Sequence, residues 1–148
     1  MTVSFHLVKR SFIGVAVAAL LVGAAACGEN PLSPSEYGIE VTDLVVGTGT
    51  EVKAGRGATV FYTLWLSDPS RPEGKGTQLE TNVGGQAFSF AVGYNQVISG
   101  WDLGIPGMKV GGTRRLVIPP DQAYGSSSSA TIPANSTLVF EIQLVGVY

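Results

Sequence analysis

The sequence predicts an α+β fold: a twisted antiparallel sheet, curled into a half-barrel and wrapped over one short helix. Three observations lead there. Several β-branched and aromatic runs lie between residues 39 and 147, some with clear period-two alternation. Clusters of glycine and proline separate these runs. Only Gln96 to Leu103 has a helical texture, and it is short. A sheet with one apolar face must bury that face, and a single helix is the available lid.

The elements follow in chain order. Ile39 and Val41, with Leu44 to Val46, predict a first strand that ends at Gly47-Thr48-Gly49. Ala58 to Leu66 carries Thr59, Val60, Phe61, Tyr62, Thr63 and Trp65, a strong strand pattern. Asp68 to Thr77 holds Pro69, Pro72, Gly74 and Gly76 and reads as a loop. Ala87 to Val92 places Phe88, Phe90 and Val92 on one face. The helix at Gln96 to Leu103 contains Gly100. Arg114 to Ile118 is a strand stopped by Pro119-Pro120. Thr137 to Val147 alternates cleanly, with Leu138, Phe140, Ile142 and Leu144 opposite Val139, Glu141, Gln143 and Val145. No internal repeat is evident.

The N-terminal 26 residues have a different character. They contain no acidic residue, Lys9 and Arg10 are their only charged side chains, and an apolar run extends from Phe12 to Ala26. That run is shorter than the roughly 20 residues a spanning helix needs. A basic start, a short apolar stretch and a small-residue end predict a signal peptide over residues 1–26. Cys27, the only cysteine, follows Val22-Gly23-Ala24-Ala25-Ala26. The segment resembles the lipobox of bacterial lipoproteins, with Ala24 where that family prefers Leu. Ala24-Ala25-Ala26 also fits ordinary signal-peptidase cleavage. Either cut makes Cys27 the first mature residue, and the lone cysteine at the cut favours a lipid-carrying one. Residues 28–38, polar and broken by Pro31 and Pro34, are expected to be an extended tether. The folded domain is then expected over residues 39–148.

Charge and composition remove most chemistries. The whole chain has 9 Lys+Arg and 11 Asp+Glu; losing Lys9 and Arg10 leaves 7 against 11, a formal charge of −4. No basic stripe marks a nucleic-acid binder. The one histidine, His6, lies in the leader, so a mature chain has no Ser-His-Asp arrangement and no histidine metal site. The glycines form no phosphate-binding loop, and the carboxylates are scattered singly. No metal or cofactor is expected. What stands out is a surplus of apolar and aromatic residues close to loops, suited to lining an apolar pocket.

Those residues fall in a recognisable order. Phe88-Ser89-Phe90-Ala91-Val92-Gly93 is followed by Val97-Ile98-Ser99-Gly100-Trp101-Asp102-Leu103-Gly104. Met108-Lys109-Val110-Gly111-Gly112 and Arg114-Arg115-Leu116-Val117-Ile118-Pro119-Pro120 come next. Asp121-Gln122-Ala123-Tyr124-Gly125 and Ile132-Pro133-Ala134-Asn135-Ser136-Thr137-Leu138-Val139-Phe140 complete the series. In order and spacing the series resembles the FKBP family of peptidyl-prolyl cis–trans isomerases, from about Ile39 to the C-terminus.

The resemblance implies a proline pocket with Trp101 as floor and Tyr62, Phe88 and Phe140 as walls, joined by Leu79, Val97, Ile98 and Ile132. It implies that Tyr62, Glu80 and Tyr124 supply the polar groups of catalysis. The Ile98 N–H and the Tyr124 hydroxyl would hydrogen-bond the bound peptide. The usual pattern has an aromatic-Asp pair where this chain has Leu79-Glu80, and the Leu66–Leu79 loop is longer than in compact members. Implied ligands are proline-containing polypeptides and macrolide inhibitors, with membrane contact through the lipid anchor alone. The implied role is folding of exported proteins at the periplasmic or outer face of a membrane. A non-catalytic proline-peptide-binding chaperone module is the alternative. Without the resemblance, Phe88, Phe90, Phe140 and Trp101 read first as core, and Glu80 as a solvated loop charge.

Cys27→Ala is expected to release a soluble form or block maturation, with acyl chains found on wild type by mass spectrometry. Identical membrane partitioning of the two forms, with no acyl chains, overturns the anchor.

Overall fold

The computed structural model describes residues 33–148, so the leader, Cys27 and the first part of the tether lie outside the described residues. Six strands form one antiparallel sheet: β1 (Glu40–Val45), β2 (Gly57–Ser67), β3 (Lys75–Thr81), β4 (Phe88–Ala91), β5 (Thr113–Ile118) and β6 (Leu138–Val147). Their order is β1-β5-β6-β2-β3, and β4 shares the outer edge of β2 with β3. One short helix, α1 (Ser99–Gly104), covers the concave face. The architecture is the one the alternation predicts.

The inward face of β6 shows why. Leu138, Phe140, Ile142 and Leu144 are buried, and they meet Val60 and Leu64 of β2, Leu116 and Ile118 of β5, and Trp101 of α1 in one core. Val139 points the other way but is also fully buried. It lies under a loop that folds across the convex face, where Pro69, Glu73 and Gly74 surround it with Arg115 and Val117.

Six residues make a marginal helix in isolation, so packing must hold α1. Gly100 and Gly104, one turn apart, are buried against β5. A Cβ on Gly104 would come within 2.8 Å of Leu116, and one on Gly100 would fall on Ile118. The glycines that weaken the helix by propensity are what allow it to touch the sheet.

Arg114 ties three elements together. Its Nε and Nη2 donate to the two Asp43 carboxylate oxygens on β1, at 2.6 and 3.1 Å. Its Nη1 donates to the carbonyls of Gly104, the last residue of α1, and of Pro106 just past it, at 2.7 and 3.1 Å. The guanidinium therefore satisfies orphan carbonyls at the C-terminal end of α1 while closing β1 onto β5.

Two segments differ from expectation. Lys75 to Thr77, expected within a loop, begin strand β3, and the whole of β3 was without a strand signal. It is an edge strand, largely exposed, with Leu79 as its only large apolar residue, so no alternation is required of it. Lys75 anchors its start through ion pairs with Glu73 and Glu141 and lies 4.8 Å above the Trp65 ring. Pro34 to Tyr37, expected in the extended tether, form a single 3-10 turn, and Tyr37 packs against the core. Ile39, the next apolar residue, is buried.

The glycine contact is testable. Gly100→Ala gains about 1 kcal/mol of helix propensity but overpacks Ile118, at about 1–3 kcal/mol. A net loss of about 1 kcal/mol is expected, read as a lower urea midpoint at unchanged slope. A stabilised variant would refute the close contact.

Candidate active site

The concave face ends in an open cavity of about 210 Å³, between β2, β3, β4 and the start of α1. Ligand pockets for drug-sized molecules run roughly 300–1,000 Å³, so this one suits a small ring. Trp101 is its floor, 4 % exposed, held by the helix that the glycines let down onto the sheet. Tyr62 and Phe140 stand edge-on to the indole, with centroids at 5.2 and 5.3 Å and interplanar angles of 81° and 83°. Phe88 stacks on Phe90 at 5.6 Å, and both rings lean on Trp101. Edge-to-face pairs of this kind add about 0.5–1.5 kcal/mol each beyond their buried area, so the walls fix one another. The indole Nε1 is buried without a hydrogen-bond partner among the described residues.

Polar groups sit at the rim. The Tyr62 hydroxyl donates to Glu80 Oε1 at 2.6 Å. Glu80 pairs with Leu64, two residues from Tyr62 on the same strand face, and a β-bulge precedes it in β3, where Gln78 pairs with Trp65 and leaves Leu79 as the extra residue. Burial, then the hydrogen bond and charge of Glu80, push the Tyr62 hydroxyl well above the usual tyrosine range. Tyr124, half exposed, is raised first by burial and then by the Glu80 charge. Both hydroxyls therefore remain protonated donors near neutral pH.

The segment before α1 supplies the remaining wall. Ile98 is the N-cap of α1, and its carbonyl accepts from the Trp101 N–H at 2.9 Å. Its own N–H meets no acceptor among the described residues, and the residue lines the cavity. Asp102 pins the preceding loop from within the helix, accepting from the N–H groups of Gly93 at 2.7 Å and Asn95 at 2.9 Å. The Gln96 side chain accepts from the Ala91 N–H at 2.9 Å and ties the same loop to β4.

Of the residues expected from the resemblance, Tyr62, Glu80, Phe88, Val97, Ile98, Trp101, Tyr124 and Phe140 line one cavity. Leu79 and Ile132 do not; they are half-buried against the core beside it. Leu79 is the extra residue of the β-bulge. For Ile132 the cause is a turn closed by Ser129, whose N–H donates to the Ile132 carbonyl at 2.9 Å and whose Oγ accepts from the Ile132 N–H at 3.1 Å. Leu64 and Gln96 line the cavity and were not expected to. Leu64 was within reach, two residues after Tyr62 on the same strand face; Gln96 carries no sequence signal.

Fold and site define a class: a half-barrel whose helix offers an aromatic-walled cavity to an apolar ring, with neutral donors at the rim. Comparison with known proteins agrees. The family described as FKBP-type peptidyl-prolyl cis-trans isomerase matches residues 49–145, and the chain belongs to it. A crystal structure of a peptidyl-prolyl cis-trans isomerase from Pseudomonas syringae pv. tomato superposes with a TM-score of 0.62. It is 36% identical, over 74% of this chain and 75% of that one. The 46 kDa FK506-binding nuclear protein of Spodoptera frugiperda is 45% identical over 111 residues, which are 74% of this chain and 26% of that protein. FK506-binding protein 4 of Gibberella zeae is 44% identical over 110 residues, 74% of this chain and 21% of that protein. The chain thus spans about a quarter of the length of these curated relatives.

The raised Tyr62 sets an alkaline limit with a definite sign. The folded state holds the proton more tightly than the unfolded chain. The resulting stability is complete below the ordinary tyrosine value of about 10 and is lost as pH rises through the folded value. Denaturation midpoints measured up the alkaline range should fall above about pH 10, and the fall should be shallower in Tyr62→Phe. Equal slopes would assign the alkaline loss to other groups.

Proposed function

We propose that the protein catalyses cis–trans isomerisation of X-Pro peptide bonds. The observation that carries this reading is the apolar, aromatic-walled cavity over Trp101 with unpaired neutral donors at its rim. Rotation about an X-Pro bond breaks amide resonance against a barrier of about 18–20 kcal/mol, while cis and trans differ by only about 0.5–1 kcal/mol. A catalyst need only hold the twisted amide more tightly than either planar form. The twisted amide has lost part of its C–N dipole, so an apolar cavity favours it. Its nitrogen recovers lone-pair character, and its carbonyl, a weaker acceptor than in the planar amide, is positioned by the Ile98 N–H and the Tyr124 hydroxyl. No bond is made or broken, so no nucleophile, base or metal is needed.

In this mechanism Trp101, Phe88, Val97 and Phe140 hold the prolyl ring by apolar contact. Tyr62 and Glu80, locked to each other, close the wall on the β3 side. FK506-type macrolides are proposed as competing ligands, since relatives are named for binding FK506. The proposed clients are exported polypeptides, and the proposed location is a membrane face reached by a lipid on Cys27. The basic start, the short apolar run and the single cysteine at its end support that location. Among the described residues no helix is long and apolar enough to cross a membrane.

The test is turnover of a short X-Pro-Phe peptide, followed by protease-coupled assay or NMR exchange. Trp101→Leu should lower kcat/KM by about tenfold or more, a loss of about 1.4 kcal/mol in transition-state binding. Glu80→Gln should cost no more than about tenfold, and Glu80→Asp should hold or raise activity. A folded wild type that binds prolyl peptides without accelerating them would identify a peptide-binding module instead; the non-aromatic Leu79 is the feature that favours that second reading.

A further inference from the structure

Strand β2 changes partners along one edge. Residues 57–60 pair with β4 and residues 63–67 pair with β3, so at Val60 to Tyr62 neither strand supplies a continuous ladder. Backbone groups left unpaired in a sheet cost free energy unless another group serves them. Asn82, one residue past the end of β3, fills this gap with its side chain. Its Oδ1 accepts from the Tyr62 N–H at 2.7 Å, and its Nδ2 donates to the Val60 carbonyl at 3.3 Å. The same Nδ2 donates to the Gln86 carbonyl at 3.1 Å, across the turn that leads into β4. A side-chain amide carries the same acceptor and donor as a peptide unit, and here it stands in for one residue of a strand.

The other backbone group of Tyr62 is held by the same segment. The Tyr62 carbonyl accepts from the Asn82 N–H at 3.2 Å and from the Thr81 Oγ1 at 3.0 Å. Tyr62 is therefore gripped on both sides of its Cα by Thr81 and Asn82, one and two positions from Glu80, the partner of its hydroxyl. Backbone and side chain of one cavity wall are closed into a single loop of contacts through Asn82.

We propose that Asn82 is a positioning residue for the isomerase site, acting through the Tyr62–Glu80 pair rather than by touching the substrate. Asn82 borders a shallow depression behind Phe88 and does not line the proline cavity. Groups that act through locked neighbours contribute by pre-organising them. The proposal rests on the isomerase reading for its consequence but not for its geometry.

The test is a double-mutant cycle on kcat/KM for a short X-Pro-Phe peptide, using Asn82→Ala, Tyr62→Phe and the double variant. Asn82→Ala is expected to lower kcat/KM about fivefold in the wild-type background and less than twofold with Tyr62→Phe. It should also speed hydrogen exchange of the Tyr62 amide by tenfold or more. A role confined to folding would give equal losses in both backgrounds, and that result, or no loss in wild type, overturns the proposal. Should Asn82→Ala not fold, Asn82→Asp takes its place: it keeps the acceptor for Tyr62 and removes the donors to Val60 and Gln86. Additive losses in that cycle overturn the proposal equally. If the wild type shows no turnover, the isomerase reading fails on its own, and the cycle is run on affinity for a fluorescent prolyl peptide with the same criteria.

Discussion

The close approach of α1 to β5 is the contact on which the rest of the domain depends. A helix of six residues has too few internal hydrogen bonds to stand alone. It persists because Gly100 and Gly104 let its backbone reach Ile118 and Leu116, and because Arg114 takes the carbonyls at its end. Only at that depth does the Trp101 indole lie flush with the sheet, within ring contact of Tyr62, Phe90 and Phe140. The cavity floor is thus a product of two missing side chains one helical turn apart. The same guanidinium binds Asp43, so the edge strand β1 and the helix end are held by one charged group.

The opposite side of the cavity is built by the edge strand β3. Glu80 pairs with Leu64, which shares a strand face with Tyr62, so ordinary alternation turns its carboxylate to the Tyr62 hydroxyl. Leu79, the extra residue of the bulge that precedes Glu80, packs against the core beside the cavity. Loop 68–74 stabilises the start of β3 from the convex face, through Lys75 against Glu73, Glu141 and the Trp65 ring. Loop 68–74 therefore reinforces the back of the sheet, away from the cavity mouth.

A site without histidine, thiol or metal cluster is coherent with catalysis by shape and polarity. Among the described residues no group of three metal-ligating side chains occurs. The only carboxylate lining the cavity is already engaged by a tyrosine. What the cavity offers is aromatic surface, the neutral Tyr124 hydroxyl and a free backbone donor. Those groups discriminate between amides by dipole and shape, which is what separates a twisted X-Pro bond from a planar one. Membership of the FKBP-type family and the geometry of the cavity therefore point in the same direction.

Most of the sheet was legible in the sequence alone. Strands β2, β4, β5 and β6 are β-branched or alternating because each buries one face, and burial writes itself into the residue pattern. The floor and walls, Trp101, Tyr62, Phe88 and Phe140, were legible through the ordered motifs that carry them. Strand β3 was not, because an exposed edge strand needs no apolar face, and its hydrogen bonds leave no trace in side-chain type. For the same reason the one-residue register shift that makes Leu79 a bulge left no trace in composition. Ile132 was turned to the core by a local serine turn, and Gln96 was drawn to the cavity by a bond to the Ala91 backbone. The sequence by itself determined which elements form and which face of each is buried, because those depend on local period and hydrophobicity. Tertiary structure alone decided the register at the sheet edge and the depth of the helix, because both are set by contacts between residues far apart in the chain.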